Sequence, residues 1–509
     1  MRATAVILTL FGCTGALSCA RQASVVTGSV PEPPVVRVLS INDVYIADTL
    51  RDGTGGLARV AALRDSLARI GPVLFMLAGD VLAPSLLSKW YGGTQMVEAL
   101  NATGLDFASL GNHEFDISQA RLEARLRESR FHWLSANCSH ADNSPFPNVR
   151  GWDTVRTAGL LVGVVGATIV NRYPAWVKCT DPATAVRAAT DTLQRAGARM
   201  IIALTHLPVS ADSALLAADP RVVLIAGGHE HTQQRVAIGG RVVRKADSDA
   251  RTAVVASFFP DGSGWRVHDE LVAIGRGMPD APGTAAIVAR WRDSLVAHLG
   301  PVRVLGTSGT DIDVRDAAGR NGEGAFGNLV TDAMRAGTRS DVALLNGGAL
   351  RLDDLIGAGP ITNHQMESIF LFPDETRVVS FRITGAALRE QLTHNITTQV
   401  GAGGYLQSSG VRYAYDSTLP PTQRTVSNLT RDDGQPIQDT DTLAISTVSF
   451  MACNGGDGYS MVEISRSACD RLPNAPRTVD LLMAYLAAIP GGRIVLPPVG
   501  RISTRPTGR

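Results

Sequence analysis

The sequence predicts a two-domain protein of mixed α/β and α+β class. Its 509 residues exceed what one hydrophobic core usually serves, so a second domain is expected. In the first half, apolar runs such as residues 35–41 alternate with stretches of helical periodicity such as residues 56–70, which is typical of layered α/β folds. Apolar residues form 45% of the chain beside 51 Gly and 26 Pro, a composition that indicates a globular protein and excludes a disordered one.

Residues 1–20 resemble an export signal. Arg2 supplies a small positive region, and residues 5–11 form a short apolar core. Two interpretations of the end of this segment stay open. Either Cys19 is the lipid-modified cysteine of a bacterial lipoprotein, with Cys13 a less well spaced candidate, or cleavage occurs without a lipid. An exported protein is therefore expected, periplasmic or held at the cell envelope, with a membrane contact only through such a lipid anchor.

Four cysteines follow the signal: Cys138, Cys179, Cys453 and Cys469. An even number in an exported protein permits disulfides, and the nearest pairing joins Cys138 to Cys179 and Cys453 to Cys469. None of the four has the spacing of a zinc site, so we interpret them as structural or free cysteines and not as metal ligands.

The charge balance argues against a protein that tracks nucleic acid. The chain has 48 basic and 47 acidic residues and a formal net charge of +1, whereas such proteins carry a concentrated basic face. An anionic substrate must therefore be held locally, by metal ions or by a few arginines. Only Lys89, Lys178 and Lys245 are lysines, which we interpret as genome composition without functional content.

Polar side chains follow five predicted strands at the point where each strand ends. The strands are predicted at residues 35–41, 73–77, 107–110, 200–204 and 222–226. The polar residues that follow them are, in order, Asp43, Asp80, Asn112 with His113, His206, and His229 with His231. Because side chains at strand ends meet across a crevice in layered α/β proteins, we expect these residues to converge on one site.

Taken singly, each of these residues has an ordinary structural interpretation. An Asp after a strand is usually a turn former, and a buried His is usually a satisfied core residue. Together they indicate a metal centre, because four of the 10 histidines fall at these junctions. Mixed Asp, Asn and His ligands without Cys suit Mn, Fe, Co or Zn. Five ligand segments are more than one ion needs, and a carboxylate shared by two ions is an arrangement that hydrolyses phosphoesters.

The five junctions resemble the motif set of the calcineurin-like metallophosphoesterases. The motifs are Asn42-Asp43, Gly79-Asp80, Gly111-Asn112-His113-Glu114, His206 and Gly228-His229-Glu230-His231. The second half is similar to the carboxyl-terminal domain of the bacterial 5′-nucleotidase and UDP-sugar hydrolase family. The motifs that carry this similarity lie at residues 327–335, 346–351, 404–407, 454–459 and 500–502.

The resemblance implies a specific domain organisation. A tether at residues 21–34 would lead into a metallophosphoesterase domain at 35–280, a β-sandwich flanked by helices. A linker helix at 281–300, within which residues 285–299 are amphipathic, would connect it to a smaller α+β substrate-binding domain at 301–505. In the family the second domain swings about this linker, which would couple substrate recognition to chemistry.

By position, the resemblance also implies two metal sites that share one aspartate. The first ion would be held by Asp43, Asp80 and His231. The second would be held by Asp80, Asn112, His206 and His229. His113 would stabilise developing charge or protonate the leaving oxygen, and Asp116 would orient it.

The first motif departs from the family pattern. The family usually has Asp-x-His, and this chain has Asp43-Val44-Tyr45. Tyr45 is therefore a further candidate ligand. It either ligates through its phenolate, which favours a higher-charge ion such as ferric iron, or points away and leaves the first ion with more water.

The resemblance assigns substrate binding to the second half. Asn346 and Gly348 belong to a glycine turn that lets the backbone approach a ligand, and Arg351 offers a fork of donors to phosphate. Tyr405 and Tyr459 each follow a pair of glycines, so their rings are predicted to stack on a nucleobase. The ordinary alternatives are a solvated arginine and two core tyrosines.

The resulting expectation is an exported hydrolase of nucleoside 5′-monophosphates that uses two divalent ions, Mn, Zn, Co or Fe. Two alternatives share the metal site: a pyrophosphatase acting on UDP-sugars or dinucleotides, and a 2′,3′-cyclic phosphodiesterase. Tyr45 motivates a third, a nucleotide-binding surface protein with an impaired metal site. The expected partner is a small nucleotide and not nucleic acid, and the sequence leaves the oligomeric state open.

Overall fold

The computed structural model describes residues 35–171, 173–262, 264–372 and 376–504. The predicted export signal at 1–20, with Cys19, and the tether at 21–34 lie outside the described residues. Among the helices in the described ranges, none combines the length and the apolar character that crossing a bilayer requires.

The amino-terminal domain is built from strands and helices that alternate along the chain. Its strands are β1 (Val36–Ile41), β2 (Val73–Ala78), β3 (Phe107–Ser109), β4 (His132–Leu134), β5 (Cys138–His140), β6 (Val149–Arg150), β7 (Trp152–Thr157), β8 (Leu160–Thr168), β9 (Val177–Cys179), β10 (Met200–His206), β11 (Val222–Gly227), β12 (Gln234–Ile238), β13 (Arg241–Lys245), β14 (Thr252–Asp261) and β15 (Gly264–Ala273). Its helices are α1 (Leu57–Ala68), α2 (Leu86–Tyr91), α3 (Thr94–Thr103), α4 (Gln119–Glu128), α5 (Pro182–Arg195) and α6 (Val209–Ala218).

Two mixed sheets of this domain pack face to face. In the described part of the chain, one sheet has the order β15-β14-β1-β2-β3-β4-β6 and the other the order β12-β13-β11-β10-β8-β7. Alternate residues of β2 and β10, such as Met76 and Leu204, are fully buried in the core between the sheets. Helices α1, α3 and α4 cover the first sheet, and α5 and α6 cover the second. The predicted β-sandwich flanked by helices is confirmed.

The strand pairing brings the predicted junctions to one edge. Strands β1, β2 and β3 are parallel neighbours in the first sheet, and β10 and β11 are parallel neighbours in the second. The turns after the strands are bonded to one another: Asp43 N donates to Gly79 O at 3.1 Å, and Gly228 N donates to Thr205 O at 3.0 Å. All five carboxyl ends therefore meet at the seam between the sheets.

The carboxyl-terminal domain follows helix α7 (Pro282–Leu299). Its strands are β16 (Val304–Ser308), β17 (Ile312–Asp313), β18 (Val342–Asn346), β19 (Leu355–Ile356), β20 (Gly359–Thr362), β21 (Val378–Thr384), β22 (Leu406–Ser409), β23 (Arg412–Ala414), β24 (Ser427–Thr430), β25 (Thr442–Val448), β26 (Arg493–Ile494) and β27 (Ile502–Ser503). Its helices are α8 (Asp316–Arg320), α9 (Ala325–Thr338), α10 (Asn363–Glu367), α11 (Gly385–His394), α12 (Ser449–Asn454), α13 (Val462–Cys469) and α14 (Thr478–Ala487). A sheet of order β21-β25-β18-β22 and the buried face of α9 share one core, as expected of an α+β domain.

Both predicted disulfides are present. Cys138 and Cys179 face each other in the antiparallel pair of β5 and β9. Cys453 of α12 is bonded to Cys469 of α13. The interpretation of the four cysteines as structural residues is confirmed.

A buried ion pair joins the two domains. Nζ of Lys89, in α2, donates to Oε2 of Glu367, in α10, at 2.6 Å, and both side chains are buried. Glu367 also accepts from Nη2 of Arg477 at 3.0 Å. Because each buried charge has a partner in the other domain, the pair fixes how α2 meets α10.

Replacing Lys89 by Met is expected to destabilise the protein by about 3 kcal/mol, because a buried carboxylate loses one of its two cations. The double variant Lys89→Met, Glu367→Gln should recover part of that loss. Urea unfolding midpoints measure both effects, with Lys178→Met as the control, since exposed Lys178 bonds only to Asn143 among the described residues. An unchanged midpoint for Lys89→Met would contradict the stabilising role of the pair.

Candidate functional site

Five of the six predicted metal ligands, Asp43, Asp80, His206, His229 and His231, lie together at the seam between the two sheets. The sixth, Asn112, precedes His113, whose backbone N–H donates to Asp80. Nε2 of His206 is 3.1 Å from Oδ2 of Asp80 and 3.9 Å from Oδ1 of Asp43. Nε2 of His231 is 3.5 Å from the same oxygen of Asp43. One ligand atom each from Asp43, Asp80 and His231 lies within 4.8 Å of the others, close enough to share an ion.

Four of these ligands have an uncommon backbone conformation. Asp43, Asp80, His229 and His231 have φ angles of 52°, 57°, 95° and 60°, in the region that residues other than glycine rarely adopt. A sharp left-handed turn directly after a strand lets the side chain face back across the seam. The backbone thus accepts strain in order to present these groups.

Close backbone approach explains the glycines of the motifs. A Cβ on Gly111 would lie 2.2 Å from Oδ1 of Asp80, and one on Gly228 would lie 2.3 Å from the carbonyl oxygen of Ala78. Any larger residue at these two positions would displace the ligand-bearing turns.

Glu114 holds two of these turns together, a role that the motif alone does not reveal. Its fully buried carboxylate accepts hydrogen bonds from the backbone N–H groups of Asp80, Val81, Leu82 and Gly111, at 2.5–3.1 Å. One side chain therefore fixes the turns after β2 and β3 relative to each other.

The histidine nitrogens are oriented for metal binding. Nδ1 of His206 donates to the carbonyl oxygen of Ala78 at 2.8 Å, which leaves Nε2 facing the carboxylates. Burial disfavours charge on His206, but Asp80 and Asp43 outweigh it and raise its pKa to about 10. His229 donates its backbone N–H to Asp43 at 2.9 Å, and burial together with His206 lowers the pKa of its imidazole.

The donor set fits divalent ions. Three buried ligand atoms, Oδ1 of Asp43, Oδ1 of Asn112 and Nε2 of His206, make no hydrogen bond to other described residues. Unsatisfied oxygen and nitrogen atoms beside buried carboxylates are costly in a protein interior unless a cation compensates them. The mixture of carboxylate, amide and imidazole groups suits Mn, Fe, Co or Zn.

Tyr45 points into this centre. Its hydroxyl oxygen is 3.2 Å from Oδ2 of Asp80 and 3.0 Å from Nε2 of His231. Of the two alternatives for Tyr45, the one in which it points away from the ligands does not hold in this structure. Burial, with the charges of Asp80 and Asp43, raises the pKa of Tyr45 well above its ordinary value. Without an ion it is therefore a neutral phenol that bridges two ligands.

His113 and Asp116 form a pair beside the ligands, in the single turn His113–Asp116. Nδ1 of His113 is 2.5 Å from Oδ2 of Asp116, and Nε2 is 4.0 Å from Oδ2 of Asp80. Burial disfavours the imidazolium, but the carboxylates of Asp80 and Asp116 outweigh burial and raise the pKa of His113. A proton on Nε2 of this residue is therefore favoured next to the metal ligands.

A cavity lies in the carboxyl-terminal domain, and Arg351 in its wall acts electrostatically on Tyr45 and His113 of the metal centre. Its volume is about 210 Å³, and the residues that line it include Arg320, Asn346, Gly348, Arg351, Phe372, Phe450 and Asp457. Nδ2 of Asn346 donates to Oδ2 of Asp457 at 3.0 Å. Burial and nearby carboxylates raise the pKa of Tyr45, and the positive charge of Arg351 opposes that rise. Arg351 therefore interacts electrostatically with the metal centre. The predicted residues Asn346, Gly348 and Arg351 thus lie around one cavity.

Comparisons with known proteins match this architecture. The sequence profile of the calcineurin-like phosphoesterases matches residues 36–233, and that of the 5′-nucleotidase carboxyl-terminal domain matches residues 304–464. The chain belongs to the 5′-nucleotidase family. It is a metal-dependent phosphoester hydrolase that acts on nucleotides.

Relatives of this family are similar along most of the chain. The 5′-nucleotidase of Bos taurus is 24% identical over 92% of this chain and 91% of that protein. A 5′-nucleotidase precursor of Thermus thermophilus superposes with a TM-score of 0.77 at 24% identity, over 92% of this chain and 99% of that one. The sulfate thiohydrolase SoxB of the same organism superposes with a TM-score of 0.70 at 17% identity, over 93% and 97%. The fold is therefore shared, and it alone does not fix the reaction.

The stacking of Tyr405 and Tyr459 on a base stays a prediction, and in this structure both rings are buried. Their side chains are 1% and 2% exposed and pack in the core of the carboxyl-terminal domain. The hydroxyl of Tyr459 donates to the carbonyl oxygen of Gly404 at 2.7 Å, which ties the segment before β22 in place. The aromatic side chains that line the 210 Å³ cavity are Phe372 and Phe450.

Sequence reasoning also missed Asp457 and Arg320 in this cavity. Asp457 lies inside the motif at 454–459 and has a φ of 56°, so the same glycine-rich turn that turns Tyr459 inward presents this carboxylate. Phe450 stands in the first turn of α12, just ahead of that motif. An aromatic residue shortly before a glycine-rich motif is the sequence signal that could have identified Phe450 as a cavity residue.

Replacing Asp116 by Asn is expected to lower the pKa of His113, so that the imidazole loses its proton at a lower pH. The substitution removes the negative charge beside Nδ1 but keeps an oxygen that can accept its hydrogen bond. Chemical shifts of the histidine ring protons against pH, in metal-free protein, measure the change. Asp142→Asn, on an exposed turn, is the control. An unshifted His113 would show that the Asp116 charge has no such effect.

Proposed function

We propose that this protein hydrolyses nucleoside 5′-monophosphates to nucleoside and phosphate with two divalent ions. The observation that carries the proposal is that Arg351 connects the cavity of the carboxyl-terminal domain with the metal centre. Its side chain lines the aromatic cavity and its charge acts on Tyr45 and His113 in the metal centre. A nucleotide held there has its base between phenylalanines and its phosphate at the ligands.

The metal ligands divide into two sets around Asp80. One set is Asp43, Asp80 and His231, with the Tyr45 hydroxyl beside it. The other is Asp80, Asn112, His206 and His229. When bound, Mn, Zn, Co or Fe ions supply Lewis-acid polarisation of the phosphate and a water nucleophile at neutral pH. Oδ1 of Asp80 accepts from His113 N at 2.8 Å, so the shared carboxylate is held in one orientation.

His113 is the group that handles the proton. Burial disfavours the imidazolium, but Asp80 and Asp116 outweigh it and raise the pKa of His113, which favours a proton on Nε2. Asp116 bonds Nδ1 and directs Nε2 toward the metal ligands. From there Nε2 donates a proton or a hydrogen bond to the leaving nucleoside oxygen, which makes the nucleoside a better leaving group.

The cavity supplies base and sugar recognition. Phe372 and Phe450 offer two aromatic faces, and stacking tolerates different bases because every base has a π face. The Asp457 carboxylate accepts hydrogen bonds from ribose hydroxyls, oriented by the donor Nδ2 of Asn346. Arg351 and Arg320 hold the phosphate in the absence of a large basic surface.

A second candidate, the hydrolysis of nucleotide sugars or dinucleotides, is favoured by one observation. A larger cavity of about 930 Å³ between the domains shares Phe372 with the first and borders Asp116. Arg121, Arg303 and Arg377 also line it. It has room and positive charge for a second phosphorylated group beyond the scissile bond.

Export is also part of the proposal. The apolar segment at residues 5–11 supports secretion. Lipid modification at Cys19 would hold the protein at the cell envelope, and cleavage without a lipid would release it into the periplasm. The disulfides Cys138–Cys179 and Cys453–Cys469 support an oxidising compartment.

Purified protein given Mn, Co or Zn is expected to release phosphate from AMP. Asn112→Ala should reduce kcat/KM by about 100-fold or more, since even outer partners of metal ligands cost about 10–100-fold. Asn101→Ala, a surface residue bonded to Glu128 O, is the matched control. Metal analysis on the same sample counts the ions.

A panel of AMP, UMP, UDP-glucose, NAD and 2′,3′-cyclic AMP separates the candidates. Preference for UDP-glucose or NAD over AMP would favour the second candidate. Phosphate release that survives in Asn112→Ala, or a metal-loaded protein that turns over no nucleotide, would overturn the mechanism.

Phe450→Ala is expected to reduce the preference for AMP over ribose 5-phosphate by roughly 5- to 150-fold, because stacking contributes about 1–3 kcal/mol per base. The ratio of kcat/KM for the two substrates measures it, since ribose 5-phosphate has no base. Tyr459→Phe, which loses only the hydroxyl bonded to Gly404 O, should keep the wild-type ratio. An unchanged ratio for Phe450→Ala would show that Phe450 does not stack on the base.

A further inference from the structure

Lys245, the last residue of β13, is buried behind the metal centre. It is one of three lysines among the 48 basic residues of the chain and is 1% exposed. In a chain that uses arginine almost everywhere else, a lysine in a closed interior site is a departure from the general composition. The interpretation of the lysines as composition without functional content therefore does not cover this residue.

The Lys245 ammonium connects the turns that follow two neighbouring strands. Nζ donates to the carbonyl oxygen of Leu207 at 2.5 Å, next to the ligand His206. It also donates to the carbonyl oxygen of Gly228 at 2.8 Å and to Oε2 of Glu230 at 2.6 Å, on either side of His229. One cation thus holds the turn after β10 against the turn after β11.

Two carboxylates complete the cluster. Oδ2 of Asp212, in α6, lies 2.8 Å from Nζ of Lys245, and both side chains are fully buried. The other oxygen of Glu230 accepts a hydrogen bond from Val209 N at 2.5 Å, so both carboxylate oxygens of Glu230 are bonded. Glu230 stands between His229 and His231 in sequence, and fixing its side chain limits the motion of both imidazoles.

The geometry requires lysine and not arginine. A Cβ on Gly227 would lie 2.8 Å from Cε of Lys245, so the side chain already fills the space beside the strand. An ammonium directs three N–H donors to acceptors in different directions, whereas a guanidinium is planar and wider. The position therefore selects a compact cation.

We propose that Lys245 is a positioning residue of the metal centre. With Glu230 it sets the separation of His206 from His229 and His231, so that the ion shared by His206 and His229 meets preorganised ligands. The inference rests on the proposed two-ion function, and it assigns Lys245 no contact with substrate. Groups that orient metal ligands typically change metal affinity by about 10–100-fold when removed.

Mn²⁺ binding to the metal-free full chain, followed by calorimetry and by electron paramagnetic resonance, tests the inference. Lys245→Met is expected to weaken the binding of one of the two Mn²⁺ ions by about 10–100-fold and the binding of the other by less. AMP hydrolysis by the variant should recover as Mn²⁺ is raised. Lys89→Met is the matched control, since it removes a buried lysine whose ion pair is with Glu367 and not with a candidate ligand, and it should keep wild-type affinity for both ions.

Glu230→Gln is the second variant, because loss of Lys245 leaves two buried carboxylates and can prevent folding. The amide oxygen keeps an acceptor for Val209 N, and the NH2 group that replaces the other oxygen cannot accept from Lys245, so that bond is lost. Because Lys245 keeps its bonds to Leu207 O and Gly228 O, a smaller loss of affinity for the same ion is expected. Wild-type affinity for both ions in a folded Lys245→Met, or in Glu230→Gln if the first does not fold, would overturn this inference alone. Wild-type protein that binds no Mn²⁺ would overturn the proposed function and the inference with it.

Discussion

The proximity of two buried carboxylates, Asp43 and Asp80, is the constraint on which the rest of the site depends. Like charges at the seam of two sheets are costly unless positive charge lies beside them. In the protein alone, His206 supplies it, since the carboxylates raise the pKa of this residue to about 10 against the effect of burial. Ions that take this place would release the imidazole proton, so metal binding and proton release are coupled.

The sequence points to the residues of the candidate metal centre, and it does not point to the residues that support them. The six candidate ligands stand at or just after the ends of five strands, so apolar runs and the residues that end them point to all six. Glu114 and Lys245 act through backbone groups 34 and 38 residues away, at Asp80 and Leu207. No local pattern reports such contacts, because they exist only once strands that are distant in the chain have paired within each sheet.

The substrate cavity shows the same limit. Glycine pairs before Tyr405 and Tyr459 predict accessible rings, but glycine gives freedom of direction and not the direction itself. In the structure both tyrosine rings pack in the core, and Phe372 and Phe450 line the cavity. The bonding partner of Tyr459, Gly404 O, lies 55 residues earlier in the chain. Which aromatic side chain meets solvent is therefore settled by tertiary contacts.

The left-handed turns at the ligands have an evolutionary consequence. Asp43 and His229 occupy backbone conformations that cost roughly 1 kcal/mol or more for a residue with a side chain, and glycine would relieve that cost. Mutational drift to glycine at such a position would discard an ion ligand while leaving the fold intact or more stable. Selection for turnover must continually oppose that drift. In lineages where it relaxes, well-folded descendants without catalysis are the expected outcome.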